Sequence, residues 1–265
     1  MLGKLWKQEL KTQGKTVSVM YGVLAAATLL TIVFYYISRF VGESGFGTVF
    51  MAVCAIYGIT LCVAFVGNFI YLCFHFYQSM YSAQGYLTHT LPLKSTQILH
   101  VKIGVSFLYL CLTGICAAVS FLSIGMAVEG IGIGGLLDVF QKAIQETSRE
   151  LGVPGGIFVL FFLAMYLLGL LNALLLFFAG SSIGQLSHRS KGAYGIAASI
   201  GMYYASQIVS LAAVFLGFLL FTKLAGSGFS ASLWAMGGAS VMMLCWVSVY
   251  YTICRVIVQK HLNLE

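Results

Sequence analysis

The sequence has very little charge and almost no proline. Lysine, arginine, aspartate and glutamate together make up 8% of the 265 residues, and there are 2 prolines. Soluble domains carry roughly 25% charged residues. A water-soluble fold of this composition would expose large apolar patches. The composition therefore excludes a cytosolic enzyme, a secreted disulfide-rich scaffold and a disordered chain, and it indicates that lipid is the surrounding solvent.

Six long apolar runs contain no Asp, Glu, Lys, Arg, His or Pro. Each exceeds the roughly 20 residues that an α-helix needs to cross a hydrocarbon core of about 30 Å. The runs are continuous rather than alternating, which favours helices over a β-barrel. The sequence therefore predicts an all-α membrane protein with six transmembrane helices. The predicted spans are Val17–Ser38, Thr48–Tyr71, Ile103–Val128, Gly156–Gly180, Ile196–Phe221 and Ser232–Cys254.

The net charge of +7 is divided unevenly between the two faces that these spans define. The face with both termini carries +8 and the other face carries −1. Cytoplasmic loops are enriched in Lys and Arg, so both termini are predicted to be cytoplasmic. Ten of the fourteen cations lie on this face: Lys4, Lys7, Lys11, Lys15, Lys94, Lys102, Arg189, Lys191, Arg255 and Lys260.

The chain also lacks the motifs that enzymatic chemistry needs. It has no GxxxxGK[ST] phosphate loop, and all seven acidic residues lie outside the predicted spans. No Cys/His spacing resembles a zinc site, and seven cysteines in or beside spans indicate packing residues rather than disulfides. We therefore predict that the chain is not an enzyme and binds no cofactor or metal.

Residues 1–16 have an amphipathic pattern, with four lysines opposite an apolar face. This pattern is typical of a helix in the headgroup plane. The sequence predicts an N-terminal interfacial helix over 1–16 and a single six-span domain over 17–265. The helix is either a charged anchor for the first span or a connector that packs beside the bundle and transmits movement. Its apolar face comprises Leu2, Leu5, Trp6 and Leu10.

Residues 75–102 form the longest predicted cytoplasmic connection, far longer than two adjacent helices need. The segment contains Tyr77, Tyr81 and Tyr86, which are predicted to be exposed, and Ser95 is the predicted N-cap of the next helix. Tyrosine is enriched at protein interfaces. The pattern favours a docking surface for a protein partner, and a short re-entrant or surface helix without a partner is the alternative.

Residues 85–103, GYLTHTLPLKSTQILHVKI, resemble the segment after the second span in bacterial ABC transporter permeases of the type 2 exporter family. There, a Gly-Tyr-Leu-Thr run leads through Thr-Leu-Pro to a basic or polar pair and the next helix. Residues 259–265, QKHLNLE, are similar to the short basic tails of the same group. Six spans, inward termini and an amphipathic N-terminal helix extend the likeness over the whole chain.

The resemblance implies the permease subunit of an ATP-driven exporter in the bacterial cell membrane. A second permease chain would complete the translocation path, and a separate ATPase subunit would hold ATP and Mg²⁺ and bind the cytoplasmic loop. The chain departs from the family at Gln84, where an acidic residue is common, and in having its long outer loop between spans three and four. The implied coupling residues are Tyr81, Gln84, Gly85, Tyr86, Leu87, Thr88 and Leu91.

The outer loop, residues 129–155, has a second amphipathic pattern. It predicts a helix on the extracellular surface, either as a lid over an exit pathway or as a cap on the bundle. Charges of alternating sign at i,i+4 spacing occupy its polar face. The polar face contains Asp138, Lys142 and Glu146, and the apolar face contains Leu137, Phe140, Ile144 and Leu151.

Three polar side chains within the spans stand out because they carry amide groups: Asn68, Asn172 and Gln207. They either line a translocation path or join helices, since interhelical hydrogen bonds contribute about 0.6–2 kcal/mol. Gly180 and Gly184 form a small-xxx-small pair, which predicts a close approach between two helices.

The predicted function is that of a permease subunit that forms the translocation path and couples to a separate ATPase. A secondary transporter is one alternative, although such proteins usually have ionisable residues or proline breaks in their spans. A membrane immunity or assembly protein without transport activity is the other. The predicted partners are an ABC ATPase subunit, a second permease chain and the lipid bilayer. Nucleic acid is not among them, because lipid headgroups account for the lysines.

Overall fold

The computed structural model describes residues 2–41, 43–82, 85, 93–151, 154–187, 190–225 and 228–260. Within these residues the chain forms seven α-helices and no β-strand. The helices are α1 (Leu2–Val41), α2 (Glu43–Tyr81), α3 (Ser95–Glu129), α4 (Ile133–Leu151), α5 (Gly155–Gly184), α6 (Lys191–Ala225) and α7 (Gly228–Lys260).

Six of these helices, all except α4, are long and apolar enough to cross a membrane. Each overlaps one of the predicted spans, so the six-span prediction is confirmed. Large apolar side chains such as Met51, Ile208 and Leu211 are mostly exposed on their outer surfaces. Soluble monomers rarely tolerate apolar surface on this scale, whereas lipid tails provide a matching solvent. The chain is therefore a multi-pass membrane protein.

The first helix is longer than a membrane span requires. Its 40 residues extend about 60 Å, twice the thickness of the hydrocarbon core. Within residues 2–41 the helix has no break at residue 16, so the N-terminal segment continues into the first span instead of forming a separate helix. The position of residues 1–16 in the headgroup plane remains a prediction.

By its contacts the chain divides into two compact units. The α1–α3 unit comprises residues 3–72 and 104–143. The α5–α7 unit comprises residues 1–2, 73–103 and 144–265. The end of α2 and the start of α3, which flank the predicted coupling loop, therefore belong with α5, α6 and α7.

In the α1–α3 unit, side-chain hydrogen bonds join α1 to α3 at seven-residue intervals of α1. This interval is the contact repeat of two helices that wind around each other with a left-handed twist. The partner numbers rise together, so α1 and α3 run in the same direction, as a first and a third span must. The pairs are Tyr21 with Thr113, Thr28 with Ser120, and Tyr35 with the carbonyl oxygen of Val128.

In the α5–α7 unit, α5 contacts both α6 and α7. The predicted close approach at Gly180 and Gly184 is confirmed. A methyl group on Gly184 would lie 2.5 Å from the carbonyl oxygen of Lys191 and 2.6 Å from Cα of Gly195. A methyl group on Gly180 would overlap Ser199. Backbone atoms cannot swing aside, so only glycine lets α5 and α6 approach this closely.

The helix α4 lies within the outer loop, where the sequence predicts an amphipathic helix. The turn that precedes it is fixed by Gly130, whose φ is +66°. The N–H of Ile131 donates to the carbonyl oxygen of Met126 at 3.3 Å, which closes the end of α3 as in a Schellman motif. A positive φ favours glycine, so α3 ends where the sequence supplies one.

Candidate functional site

The end of α2, which leads into the predicted coupling loop, is fixed to α5. The rings of Phe76 and Phe178 stack, with centroids 3.7 Å apart and planes 7° apart. The hydroxyl of Tyr81 lies 2.7 Å from Oγ of Ser182. Because Ser182 Oγ donates to the carbonyl oxygen of Phe178, Tyr81 is the donor in this second bond. Tyr81 is only 6% exposed, so the prediction that its side chain is exposed is wrong.

The start of α3, at the other end of the loop, is fixed to α7. Nε2 of His100 lies 2.6 Å from the hydroxyl oxygen of Tyr251, and the two rings stack at 5.6 Å. Just before His100, the side chains of Ile98 and Leu99 are fully buried. The two ends of the loop are thus held by two different helices, α5 and α7.

The first turn of α3 begins one residue earlier than the predicted cap implies. The helix starts at Ser95, so Lys94 and not Ser95 occupies the N-cap position. The N–H of Lys94 donates to Oε1 of Gln97 at 3.3 Å, and the N–H of Gln97 donates to the Lys94 carbonyl oxygen at 2.8 Å. A glutamine that reaches back to the cap from the third helical position is half of a capping box, and it sets the start here.

Two of the seven predicted coupling residues are described, Tyr81 and Gly85, and both are buried. The N–H of Gly85 donates to the carbonyl oxygen of Ser82 at 2.7 Å, which forms a turn directly after α2. These two residues therefore shape the base of the loop. The other five, Gln84, Tyr86, Leu87, Thr88 and Leu91, lie outside the described residues.

The N-terminal part of α1 packs on α3 within the α1–α3 unit. The indole of Trp6 covers Gly104, where an added methyl group would meet it at 2.6 Å. The hydroxyl of Tyr109 donates to the carbonyl oxygen of Leu10 at 2.7 Å. The N-terminal part therefore packs beside α3, and its role as a connector that transmits movement stays a prediction.

The residues that this N-terminal part buries within the protein coincide only in part with its predicted apolar face, and the two sets share Leu5. Leu2 is 43% exposed, although the sequence places it on the apolar face. The buried stripe instead includes two polar residues, Glu9 and Gln13, and Nε2 of Gln13 donates to a Glu9 carboxylate oxygen at 3.4 Å. The four members of the stripe, at four-residue spacing, are Leu5, Glu9, Gln13 and Val17.

The three polar residues singled out within the spans have three different environments. Asn68 is fully buried, and its Nδ2 donates to Oγ1 of Thr113, which joins α2 to α3. Asn172 is half-buried on α5, and Gln207 is exposed on α6. Among the described residues, no hydrogen bond joins any two of the three. The structure therefore does not bring them together at one polar site.

Sequence reasoning missed the hydroxyl groups that join the helices of the α1–α3 unit. Ser120 Oγ lies 2.8 Å from the hydroxyl oxygen of Tyr57 and 2.6 Å from Oγ1 of Thr28, so it connects all three helices. Hydroxyl side chains are common in apolar spans and do not stand out individually. The seven-residue spacing of Tyr21, Thr28 and Tyr35 is the signal that would have found them.

In the part of the chain that the structure describes, no three His, Cys, Asp or Glu side chains are grouped so as to hold a metal ion. No protein-family model, curated protein or solved structure matches the chain. A functional conclusion therefore has to come from the chain's own residues and their packing.

Proposed function

We propose that the chain is the membrane-spanning permease subunit of an ATP-driven ABC exporter. In this proposal a separate ATPase subunit binds residues 75–102 from the cytoplasm. The observation that carries it is the anchoring of both ends of this segment, through Tyr81 to α5 and through His100 to α7. A force applied to the segment therefore reaches two spans. The resemblance of residues 85–103 to the permease family indicates that the force comes from an ATPase.

One of the predicted coupling residues, Tyr81, does not belong to the docking surface in this proposal. Tyr81 is buried, so it transmits force to Ser182 and does not touch the ATPase. The stacked rings of Phe76 and Phe178 form a stiff second contact between the same two helices. The proposed docking surface then consists of the residues beyond the turn at Gly85. The ATP chemistry occurs entirely on the partner, and this chain contributes only movement.

A second permease chain is part of the proposal, and α6 supports it. Among the described residues of the six spans, those of this helix are the least buried. Gln207 lies near its centre and is exposed. An amide facing lipid tails has no hydrogen-bonding partner there, whereas a neighbouring helix supplies one. A second copy of this chain, or a similar chain, would satisfy this side chain and enclose a path between the two subunits.

The proposal is tested by co-expression with the ATPase subunits encoded in the same genome. We expect one of them to co-purify with the wild-type chain and to hydrolyse ATP in the membrane complex. Substituting Tyr86→Asp together with Leu87→Asp should abolish co-purification, because a charge at an apolar protein contact costs several kcal/mol. The matched control is Gln141→Asp at an exposed position of α4, which should leave co-purification unchanged.

Two results would contradict the proposal. The first is that no ATPase subunit co-purifies with the wild-type chain. The second is that the double substitution leaves co-purification intact while both variants insert normally in the membrane.

A further inference from the structure

The first half of the apolar face of α4 is exposed. Ile133, Leu137 and Phe140 follow one side of this 19-residue helix and are 71%, 58% and 49% exposed. Farther along the same side, Ile144 is half-buried beside Gly155. A methyl group added to Gly155 would lie 2.9 Å from Cγ2 of Ile144. The first half of the apolar stripe therefore has no covering partner among the described residues.

The length of the connections restricts where α4 can lie. Three residues separate Glu129, the end of α3, from Ile133, and three separate Leu151 from Gly155, the start of α5. Each connection spans at most about 14 Å when fully extended. The helix itself is about 28 Å long. If α4 stood upright on the membrane, one of its ends would lie beyond the reach of its connection.

The two spans that hold α4 meet their connections at the same face of the membrane. Because α3 and α5 are consecutive spans, the end of α3 and the start of α5 lie on one side of the bilayer. The apolar part of α3 continues to Val128, and the apolar part of α5 begins at Ile157. The span ends are therefore close to the lipid–water boundary, and α4 must lie along that boundary.

The charges on α4 indicate what kind of surface its apolar face contacts. The helix carries three acidic residues, Asp138, Glu146 and Glu150, and two basic residues, Lys142 and Arg149. It thus has no excess positive charge to attract anionic headgroups. Attachment has to come from burial of the apolar side chains, which amphipathic interfacial helices insert about 5–10 Å into the headgroup–acyl boundary.

We propose that α4 is an interfacial helix whose Ile133, Leu137 and Phe140 side chains insert into the lipid leaflet on the face opposite the termini. The ligand is the acyl-chain boundary of a phospholipid bilayer, without preference for headgroup charge. This proposal depends on the six spans alone and not on an ATPase partner.

The test places a fluorescent reporter on each face of α4 in the full-length chain. The variants are Phe140→Trp on the apolar face and Gln145→Trp as the matched control on the polar face, each compared with the wild-type protein and its three native tryptophans. The proteins are reconstituted in vesicles whose phosphatidylcholine is brominated on its acyl chains, with and without added phosphatidylglycerol.

We expect brominated lipid to quench at least about half of the emission added by Phe140→Trp and little of that added by Gln145→Trp, in both vesicle compositions. Leu137→Trp should give the same result as Phe140→Trp. It provides a second reporter on the apolar face if Phe140→Trp fails to fold. Aqueous iodide should quench only the Gln145→Trp emission.

Three outcomes would overturn the proposal. Iodide quenching of Phe140→Trp would place the apolar face in water. Protection of this reporter from both quenchers would mean that protein, such as a second copy, covers the face. Lipid quenching that requires phosphatidylglycerol would mean that headgroup charge holds the helix.

Discussion

The hydroxyl groups of Tyr81 and Ser182 have unequal roles although they share one hydrogen bond. Ser182 Oγ also donates to the carbonyl oxygen of Phe178, so its proton keeps an acceptor when Tyr81 is changed. Tyr81 is buried, and Ser182 Oγ is the acceptor that the structure gives its hydroxyl. Removing the Tyr81 hydroxyl therefore leaves Ser182 with an acceptor, whereas removing the Ser182 hydroxyl leaves Tyr81 without one.

This asymmetry predicts unequal losses of stability. Ser182→Ala should lower the free energy of unfolding by about 1–3 kcal/mol, because it leaves a buried donor without an acceptor. Tyr81→Phe should cost about 0.5–1.5 kcal/mol, the net value of an ordinary hydrogen bond. The double variant should be more stable than Ser182→Ala alone. The measurement is unfolding in mixed micelles of rising SDS fraction, and strictly additive losses would mean that the bond is absent.

Asn68 shows how a polar residue can serve helix packing without being fully satisfied. Its Nδ2 bonds to Thr113, while its Oδ1 is buried with no hydrogen-bond partner. A buried acceptor left unpaired costs about 1–3 kcal/mol, which offsets the bond made by the amide nitrogen. The residue therefore fixes which faces of α2 and α3 meet more than it adds net stability.

At the scale of the helices, α5 and α6 are positioned by glycine rather than by large side chains. Gly184 faces backbone atoms of Lys191 and Gly195, which have no rotamer through which to withdraw. On the same helix, Gly169 has open space where a methyl group would be added. Because Gly169 lies on the same helix and has open space beside it, it serves as the control for Gly184, the last residue of α5.

Gly184→Ala should lower the free energy of unfolding by about 1–3 kcal/mol, because the two helices must move apart to admit the methyl group. Gly169→Ala should stay within about 1 kcal/mol of the wild type, since alanine favours a helix and meets no neighbour. Both are measured by the same unfolding assay. Equal losses for the two variants would show that α5 and α6 do not approach at Gly184.

The existence of the six spans could be predicted because a helix that crosses lipid needs a long run of apolar residues without charge, which is visible in the sequence. Their ends could not, because a helix continues past the hydrocarbon wherever backbone hydrogen bonds persist. Thus α1 extends back from Val17 to Leu2, through four lysines. The apolar run marks the lipid-facing part of a helix and not its limits.

The environment of individual aromatic residues was less predictable than the spans. Tyr81 looks like an exposed interface residue in the sequence, yet Ser182 and Phe76 enclose it in the structure. Ser182 lies 101 positions away in the chain. Local pattern contains no information about such a contact. The heptad of hydroxyls on α1 is different, because its spacing is visible in the sequence alone.

At the scale of the whole molecule, the segments at the two membrane faces differ in charge and in packing. The predicted cytoplasmic face carries +8, and its loop between α2 and α3 is anchored to α5 and α7. The opposite face is predicted to carry −1 and to include α4, whose Ile133, Leu137 and Phe140 side chains are exposed. In the two proposals, an ATPase would move the chain through residues 75–102, and α4 would attach it to lipid. The two roles would thus use separate parts of the chain.

This division depends on orientation, which the charge distribution predicts. Lys and Arg are retained on the cytoplasmic side during insertion, so the face with +8 should remain inside. A green fluorescent protein fused after Glu265 should fluoresce, because it folds in the cytoplasm, and alkaline phosphatase inserted between Gly152 and Val153 should be active outside. Exchanging the two reporters is the control, and both should then be silent. Active phosphatase at the C-terminus would reverse the orientation and place residues 75–102 beyond the reach of any cytoplasmic ATPase.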